Sequence, residues 1–254
     1  MLYFYTMKRT KEAQLIKKLE DKVKKAIYEY ELIKDGDCIL LALSGGKDSL
    51  ALLELLGMRS RIFHPKFKLV VAHIVMTNVP YASDLDYLKS MASTYDLPFI
   101  VHETAFDATT DTRKTPCFLC SWTRRKALFE IAKAHGCNKI ALGHHQDDIL
   151  ETLLMNLTHQ GSFGTMPPRL VMNRFDMEII RPLCLIAEKD ILTLAEMHTY
   201  KKQQHICPYE KTSLRTNVKG LLAQLEAQNP EVRYSLWNSM TNIQTDYLPK
   251  KRKD

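Results

Sequence analysis

A chain of 254 residues with 45% hydrophobic content has room for one large α/β domain with an appendage. No apolar run approaches the roughly 18 residues of a membrane span, and Met1–Tyr5 is too short for a signal-peptide core, so the reading is a cytoplasmic protein with no membrane partner. Lys and Arg outnumber Asp and Glu by 36 to 29, and the resulting net charge of +7 suits a nucleic-acid partner.

Taken in chain order, residues 8–32 predict an amphipathic helix, with Leu15, Leu19, Val23, Ile27 and Tyr30 on one face and lysines on the other. Asp35-Gly36-Asp37 is a turn. Cys38–Leu43 is a buried strand, and Ser44-Gly45-Gly46-Lys47-Asp48-Ser49 is a glycine-rich turn into a helix that begins at Leu50. Phe67–Val75 predicts a second strand. Ser83–Tyr95 predicts a helix capped by Ser83, and Phe99–Glu103 a third strand. Residues 105–116 form a polar loop, Cys117–His135 a helix stopped by Gly136, and Lys139–Gly143 a fourth strand. Asp147–His159 is helical, 161–168 is a loop, 177–181 is a fifth strand and Glu188–Tyr200 a further helix. Residues 205–212 are a loop, 213–227 and 230–244 are helices, and the Lys250-Lys251-Arg252-Lys253 end is expected to be disordered. Strands alternating with helices imply a parallel, doubly wound α/β sheet of five strands. Such sheets bind ligands at the carboxyl ends of the strands. The turn 44–49 and the segment Gly143-His144-His145-Gln146-Asp147-Asp148 are therefore expected to face one cleft.

The turn 44–49 carries the strongest chemical signal. Adjacent glycines let the backbone approach a ligand closely, and the following helix start favours an anion. Lys47, Ser44 and Ser49 add donors. Asp48 would repel a phosphate unless it holds a cation, and Mg²⁺ is commonly held by one or two carboxylates plus substrate phosphates. The spacing is not that of a Walker A loop. Asp147 and Asp148 open a helix, where acids compensate the dipole, and either could hold Mg²⁺ or position a reacting group. His144 and His145 are candidates for acid–base work. Six cysteines (38, 117, 120, 137, 184, 207) point to metal or redox chemistry, or to plain burial, rather than to a disulfide framework. Cys117-x-x-Cys120 at a helix start places two thiols where the positive helix end favours thiolate. On the same helix Arg124-Arg125-Lys126, next to Trp122, suits a phosphate backbone and a stacked base. A metal centre needs a further ligand. Cys38 heads a core strand and Cys137 follows a helix stop, while composition does not choose between Cys184 and Cys207.

Ser-Gly-Gly-Lys-Asp-Ser resembles the pyrophosphate loop (PP-loop) of ATP pyrophosphatases. Together with Pro116–Ser121 and Arg124-Arg125, Ala141–Leu150, Met166-Pro167-Pro168 and Ile180-Arg181-Pro182-Leu183, it is similar in order and spacing to the tRNA 2-thiocytidine synthetase (TtcA) family across residues 25–245. The resemblance implies a Rossmann-like PP-loop fold, with an N-terminal helix (1–34), an ATP-pyrophosphatase domain (35–204) and a C-terminal segment (205–254) of cysteine loop, helices and basic tail. It implies an ATP-dependent sulfurtransferase that adenylates and thiolates C2 of a cytidine at position 32 of the tRNA anticodon loop. Its implied cofactors are ATP, Mg²⁺ and a 4Fe–4S cluster held by Cys117, Cys120 and Cys207.

Ala42, Ser44, Gly45, Gly46, Lys47, Asp48, Ser49, Gly143 and Asp147 are then expected at ATP, with Lys47, Asp48 and Asp147 catalytic and Asp48 and Asp147 near Mg²⁺. Arg124, Arg125 and Lys126 are expected on tRNA. The implied partners are tRNA and a sulfur donor such as a cysteine desulfurase, and a homodimer stays open. Two departures stand out: Gln146 occupies a position where the family commonly has arginine, and Cys207 is alone where a second Cys-x-x-Cys is common. A tRNA lysidine synthetase-like enzyme, which needs no Cys-x-x-Cys, and a non-catalytic nucleotide-binding redox sensor are the competing readings.

Overall fold

A computed structural model describes residues 2–62, 64–79, 81–107, 109–110, 113, 115–173, 175–201, 204–205 and 214–249, with the backbone alone for residues 2–9, 81–82, 204–205 and 214. The chain divides into two units. The larger comprises residues 1–146 and 167–210, and the smaller comprises 147–166 and 211–254.

The larger unit holds a six-stranded sheet. Its strands are β1 (Cys38–Ala42), β2 (Lys68–Met76), β4 (Phe99–Thr104), β5 (Lys139–Ala141), β6 (Arg169–Met172) and β7 (Met177–Ile180), in the order β4-β2-β1-β5-β7-β6. The five expected strands all pair parallel with one another. β6 is an addition that residues 161–176 did not suggest. It pairs antiparallel with β7 and closes one edge, with Arg169 opposite Ile180 and Met172 opposite Met177. Tyr81–Ala82 (β3) and Gln204–His205 (β8) form a separate two-stranded ladder.

β1 lies at the centre because its residues are apolar on both faces: Ile39, Leu40 and Leu41 are fully buried. On one face α4 (Pro116–Ala134) covers the sheet. Its Leu119, Ala127, Phe129 and Ile131 share a core with Leu40, Ala72, Ile74, Ile140 and Ile179. Elsewhere α1 (Leu2–Glu29), α2 (Lys47–Ser60) and α6 (Glu188–Met197) pack together and bury Leu19, Val23, Leu53, Ile191 and Leu194. Each such Leu, Ile or Val contributes about 1.5–3 kcal/mol by leaving water. Lys18 Nζ meets Asp190 Oδ1 at 2.8 Å and ties α1 to α6.

The helix expected at Ser83 starts later, as α3 (Leu85–Ser93), and its cap is Asp84, whose carboxylate accepts from the Tyr87 amide. Ser83 instead lies 2.8 Å from His73 Nε2, a side chain–side chain demand that local capping preference does not register. The smaller unit contains α5 from Asp147 onward (Gln146–Met155 in full), a π-turn at 156–160, α7 (Leu214–Gln228) and α8 (Val232–Ser239). Leu150 and Leu154 of α5 pack with Val218 and Leu222 of α7. α8 is shorter than the expected 230–244. The basic end 250–254 lies outside the described residues.

At the amino ends of the strands a buried lysine is fully partnered. Lys139 Nζ donates to the Leu32 carbonyl at 2.9 Å and meets Asp37 at 3.2 Å and Glu178 at 2.9 Å. Glu178 also accepts from Arg169. These bonds, Arg169 first, hold the Glu178 carboxyl down at about 2 against an ordinary 4.5. A depressed folded-state value gives stability that is complete above the unfolded value and is lost as pH falls through the folded one. Glu178→Gln is therefore expected to destabilise the chain by about 1–3 kcal/mol at neutral pH. The deficit should shrink between pH 4.5 and about 2, as read from urea midpoints at stepped pH. A deficit of constant size across that window would refute this account.

Candidate active site

The turn between β1 and α2 is held by its own hydroxyls. Gly45 sits at φ 88°, a left-handed conformation that glycine adopts without strain. Its amide donates to Ser49 Oγ at 3.1 Å, the Gly46 amide donates to Ser44 Oγ at 3.3 Å, and Ser49 Oγ donates to the Gly46 carbonyl at 2.9 Å. Gly46 is the N-cap of α2 and provides no side-chain cap. The first-turn amides, with the helix dipole, are thus presented toward whatever anion the loop holds.

Charge is concentrated just beyond the turn. Lys47 Nζ lies 3.0 Å from Asp48 Oδ1 and 3.1 Å from Glu188 Oε1. Burial alone would push the Lys47 ammonium down, but the Asp48 and Glu188 carboxylates outweigh it and hold it above its ordinary value. His145 Nε2 lies 3.6 Å from Asp48. Glu188 opens α6 and its role escaped the sequence. Its signal was an acid in the first turn of a helix, which dipole compensation explains equally well.

The loop after β5 reaches this turn, as expected. A Cβ on Gly143 would lie 3.1 Å from the Asp48 carbonyl and 3.1 Å from the Ser49 amide nitrogen, so glycine permits the two backbones to touch. Arg181, buried after β7, braces the same loop: its Nε donates to His144 Nδ1 at 3.3 Å and its Nη1 to the Pro167 carbonyl at 2.6 Å. Asp147 and Asp148 belong to the smaller unit. There Asp147 meets Arg233 at 2.6 Å, Asp148 meets Arg215 at 3.4 Å, and Glu151 meets Arg215 at 3.3 Å. Neither arginine was visible as a partner in the sequence, because both pairings span more than 60 residues.

Cys117 lies in the first turn of α4 and is exposed, and Cys120 opens the second turn and is half-buried, with Thr115 capping the helix by accepting from the Phe118 amide. Two soft donors three residues apart at a positive helix end suit two positions of a thiolate-held centre. Cys207 lies outside the described residues. Among the described residues no group of three or more His, Cys, Asp or Glu side chains is gathered for a metal ion. The alternative ligand Cys184 is fully buried, and burial pushes its thiol up to about 12, so it is built to stay protonated. Cys38 and Cys137 sit with their sulfurs 3.3 Å apart at the opposite end of the strands, and burial first, then the Cys38 neighbour, raises Cys137 to about 12. Of the basic run, Arg125 and Lys126 are exposed. Arg124 is half-buried, and its charge contributes to keeping buried His73 below its ordinary value, where burial is the main cause.

The contact at Gly143 is testable. Gly143→Ala forces the Asp48–Ser49 backbone to move by a few tenths of an ångström. The expected result is weaker ATP binding and about a 10²-fold fall in turnover, with the thermal midpoint nearly unchanged. Unaltered ATP affinity would show that the contact does not shape the loop.

A PP-loop domain family model matches residues 14–205. The chain is 35% identical over 240 residues to the tRNA-cytidine(32) 2-sulfurtransferase of Geobacter sulfurreducens, covering 91% of this chain and 92% of that protein. It is 36% identical over 242 residues to the enzyme of the same name from Nitrosospira multiformis, covering 92% and 80%. Among solved structures, the U34-tRNA thiolase NcsA from Methanococcus maripaludis with its 4Fe–4S cluster superposes with a TM-score of 0.74 at 25% identity, over 95% of this chain and 82% of that one. With its phosphate turn, its cysteine pair and this near-full-length likeness, the chain belongs to the PP-loop proteins and, within them, to the tRNA 2-thiocytidine synthetase family.

Proposed function

We propose that this protein is an ATP-dependent tRNA sulfurtransferase that adenylates and then thiolates C2 of cytidine 32 in the anticodon loop. The observation that carries the reading is the near-full-length likeness to enzymes named for that reaction, in a chain that keeps both the charged phosphate turn and the helix-start cysteine pair.

The chemistry asks for two activations. The C2 oxygen of cytosine is a poor leaving group. Attack of that oxygen on the α-phosphorus of ATP forms a new O–P bond, and pyrophosphate departs with the electron pair of the bond that breaks. The amides of the 44–49 turn, with Ser44 and Ser49, are suited to the pyrophosphate, and Lys47 opposes the charge growing there. Asp48, with Asp147 as second candidate, would hold Mg²⁺, which supplies Lewis-acid stabilisation of the phosphates when bound. Ala42, Gly45, Gly46 and Gly143 are assigned to the surroundings of the nucleotide. A sulfur nucleophile then attacks C2 and AMP leaves with the former C2 oxygen. Cys117 and Cys120, with Cys207 as the third ligand, would hold a 4Fe–4S cluster, which supplies a place for that sulfur when bound. Arg124, Arg125 and Lys126 are assigned to tRNA phosphates, and a cysteine desulfurase-type donor to sulfur supply.

Labelled ATP with an unmodified tRNA transcript should give AMP and pyrophosphate, and Lys47→Ala or Asp48→Asn should cut the rate about 10²–10³-fold. Release of ADP would sink the assignment. After anaerobic reconstitution, Cys117→Ala, Cys120→Ala and Cys207→Ala should each lose cluster absorbance, and Cys184→Ala should keep it. The nucleoside is settled by mass spectrometry of digested tRNA, where 2-thiocytidine should be missing from a knockout strain and restored on complementation.

A further inference from the structure

One flank of α4, where its core-facing side meets its exposed side, carries a feature that the PP-loop chemistry does not use. Trp122, Lys126, Phe129 and Lys133 recur at helical spacing and line one stripe. The turn between β6 and β7 folds Phe175 over this stripe. The Phe175 ring stacks on Phe129 with centroids 4.7 Å apart and planes 27° from parallel. The result is a hollow of about 320 Å³ with an aromatic floor. Phe129 is buried beneath it, and the other two rings are open to solvent: Trp122 is 53% exposed and Phe175 51%. Arg125, Lys126 and Lys133 surround it, against one carboxylate, Glu130, which lies 3.7 Å from Lys126.

Exposed aromatic rings in a shaped hollow mark a binding surface. The rim decides what kind. Two-fold self-association would set the same three cations against their own copies, an arrangement that costs energy. An apolar partner would leave them unpaired. A nucleotide satisfies both parts at once, because every base has a π-face for the rings and a phosphate for the rim. The location fits as well. Trp122 and Phe129 follow Cys120 by two and nine residues on one helix, so they lie about 3 and 14 Å further along its axis.

We propose that this hollow takes one unpaired nucleobase of the bound tRNA, other than the cytidine that reacts, stacked on Trp122 and Phe175 with its flanking phosphates on Arg125, Lys126 and Lys133. The proposal rests on the tRNA reading above and adds to it a base-stacking site that binds without taking part in the chemistry.

The test measures binding of an unmodified tRNA transcript to the anaerobically prepared full chain at several salt concentrations. Trp122→Ala and Phe175→Ala should each weaken binding roughly 5- to 100-fold, with the slope of log affinity against log salt unchanged, because a stacked base carries no counterion. Trp122→Phe should keep most of the affinity. Arg125→Ala with Lys126→Ala should flatten the slope by up to about two units. ATP affinity should stay at the parent value in Trp122→Ala and Phe175→Ala, which shows that the fold is intact. In a Trp237→Phe background, the remaining Trp122 fluorescence should be quenched by tRNA and not by ATP. Parent-like tRNA affinity in both Ala variants would overturn the stacking site and leave the tRNA reading standing. Loss of a dimer in sedimentation, with tRNA affinity retained, would instead make this face a contact between copies. A parent chain that binds no tRNA at low salt would overturn both readings.

Discussion

The parallel pairing of β1 with β5 is the constraint on which the site depends. Its register, Ile39 with Lys139 through Leu41 with Ala141, sets the ends of the two strands level. Two loops that leave neighbouring strands at the same height must meet, and they do so at Gly143, where backbone touches backbone. A side chain there would pry the turn 44–49 off its partner loop. The pairing also marks the reversal of strand order, since the chain builds outward from β1 through β2 and β4 on one side and through β5 and β7 on the other. Ligands in open α/β sheets bind at such a reversal because the two departing loops leave a crevice between them. The phosphate turn therefore owes its position to a sheet register about 100 residues away in sequence.

The two ends of the sheet use the same residue types to opposite purposes. At the amino ends Lys139 is 4% exposed in its side chain, and three acceptors satisfy its ammonium. Removing either carboxylate leaves a buried ammonium less well compensated, so that network is structural. At the carboxyl ends Lys47 and Asp48 keep 27% and 31% exposure in their side chains. Water reaches them, so each pairing is individually weak and can be traded for a phosphate or a cation at small cost. Burial, more than chemistry, separates the lysine that holds the fold from the lysine suited to a ligand.

The sequence made the alternation of strands and helices legible because each strand is a short apolar run bounded by turn residues, and it made the phosphate turn legible because six consecutive positions agree with their flanks. What escaped it depends on partners distant in the chain. β6 drew no strand prediction because Arg169-Leu170-Val171-Met172 is short and half-exposed, and only its pairing with β7 makes it a strand. Ser83 looks like a cap and is instead drawn to His73. Glu188 looks like dipole compensation and also reaches Lys47. Phe175 sits in a polar turn, where a single aromatic carries no periodic signal, and only the packing of that turn on α4 gives it a neighbour.

The cysteines show how one residue type is sorted by its surroundings, and α4 shows what the sorting achieves. Burial disfavours the thiolate at Cys137 and Cys184, whereas Cys117 and Cys120 lie within the first five residues of a helix, with solvent on one side. The same helix then carries the aromatic stripe, and a 19-residue helix is a rigid ruler about 28 Å long. The distance from the cysteine pair to Trp122 and Phe129 is fixed by helical rise rather than by any loop. The angle is fixed too, since each residue turns the helix by about 100°. Inserting one residue between Cys120 and Trp122 would carry the stripe a quarter-turn away from Phe175 while leaving the thiols in place. A helix that must keep both features in phase tolerates substitutions on its solvent face far better than changes in length. A loop could not impose that restriction.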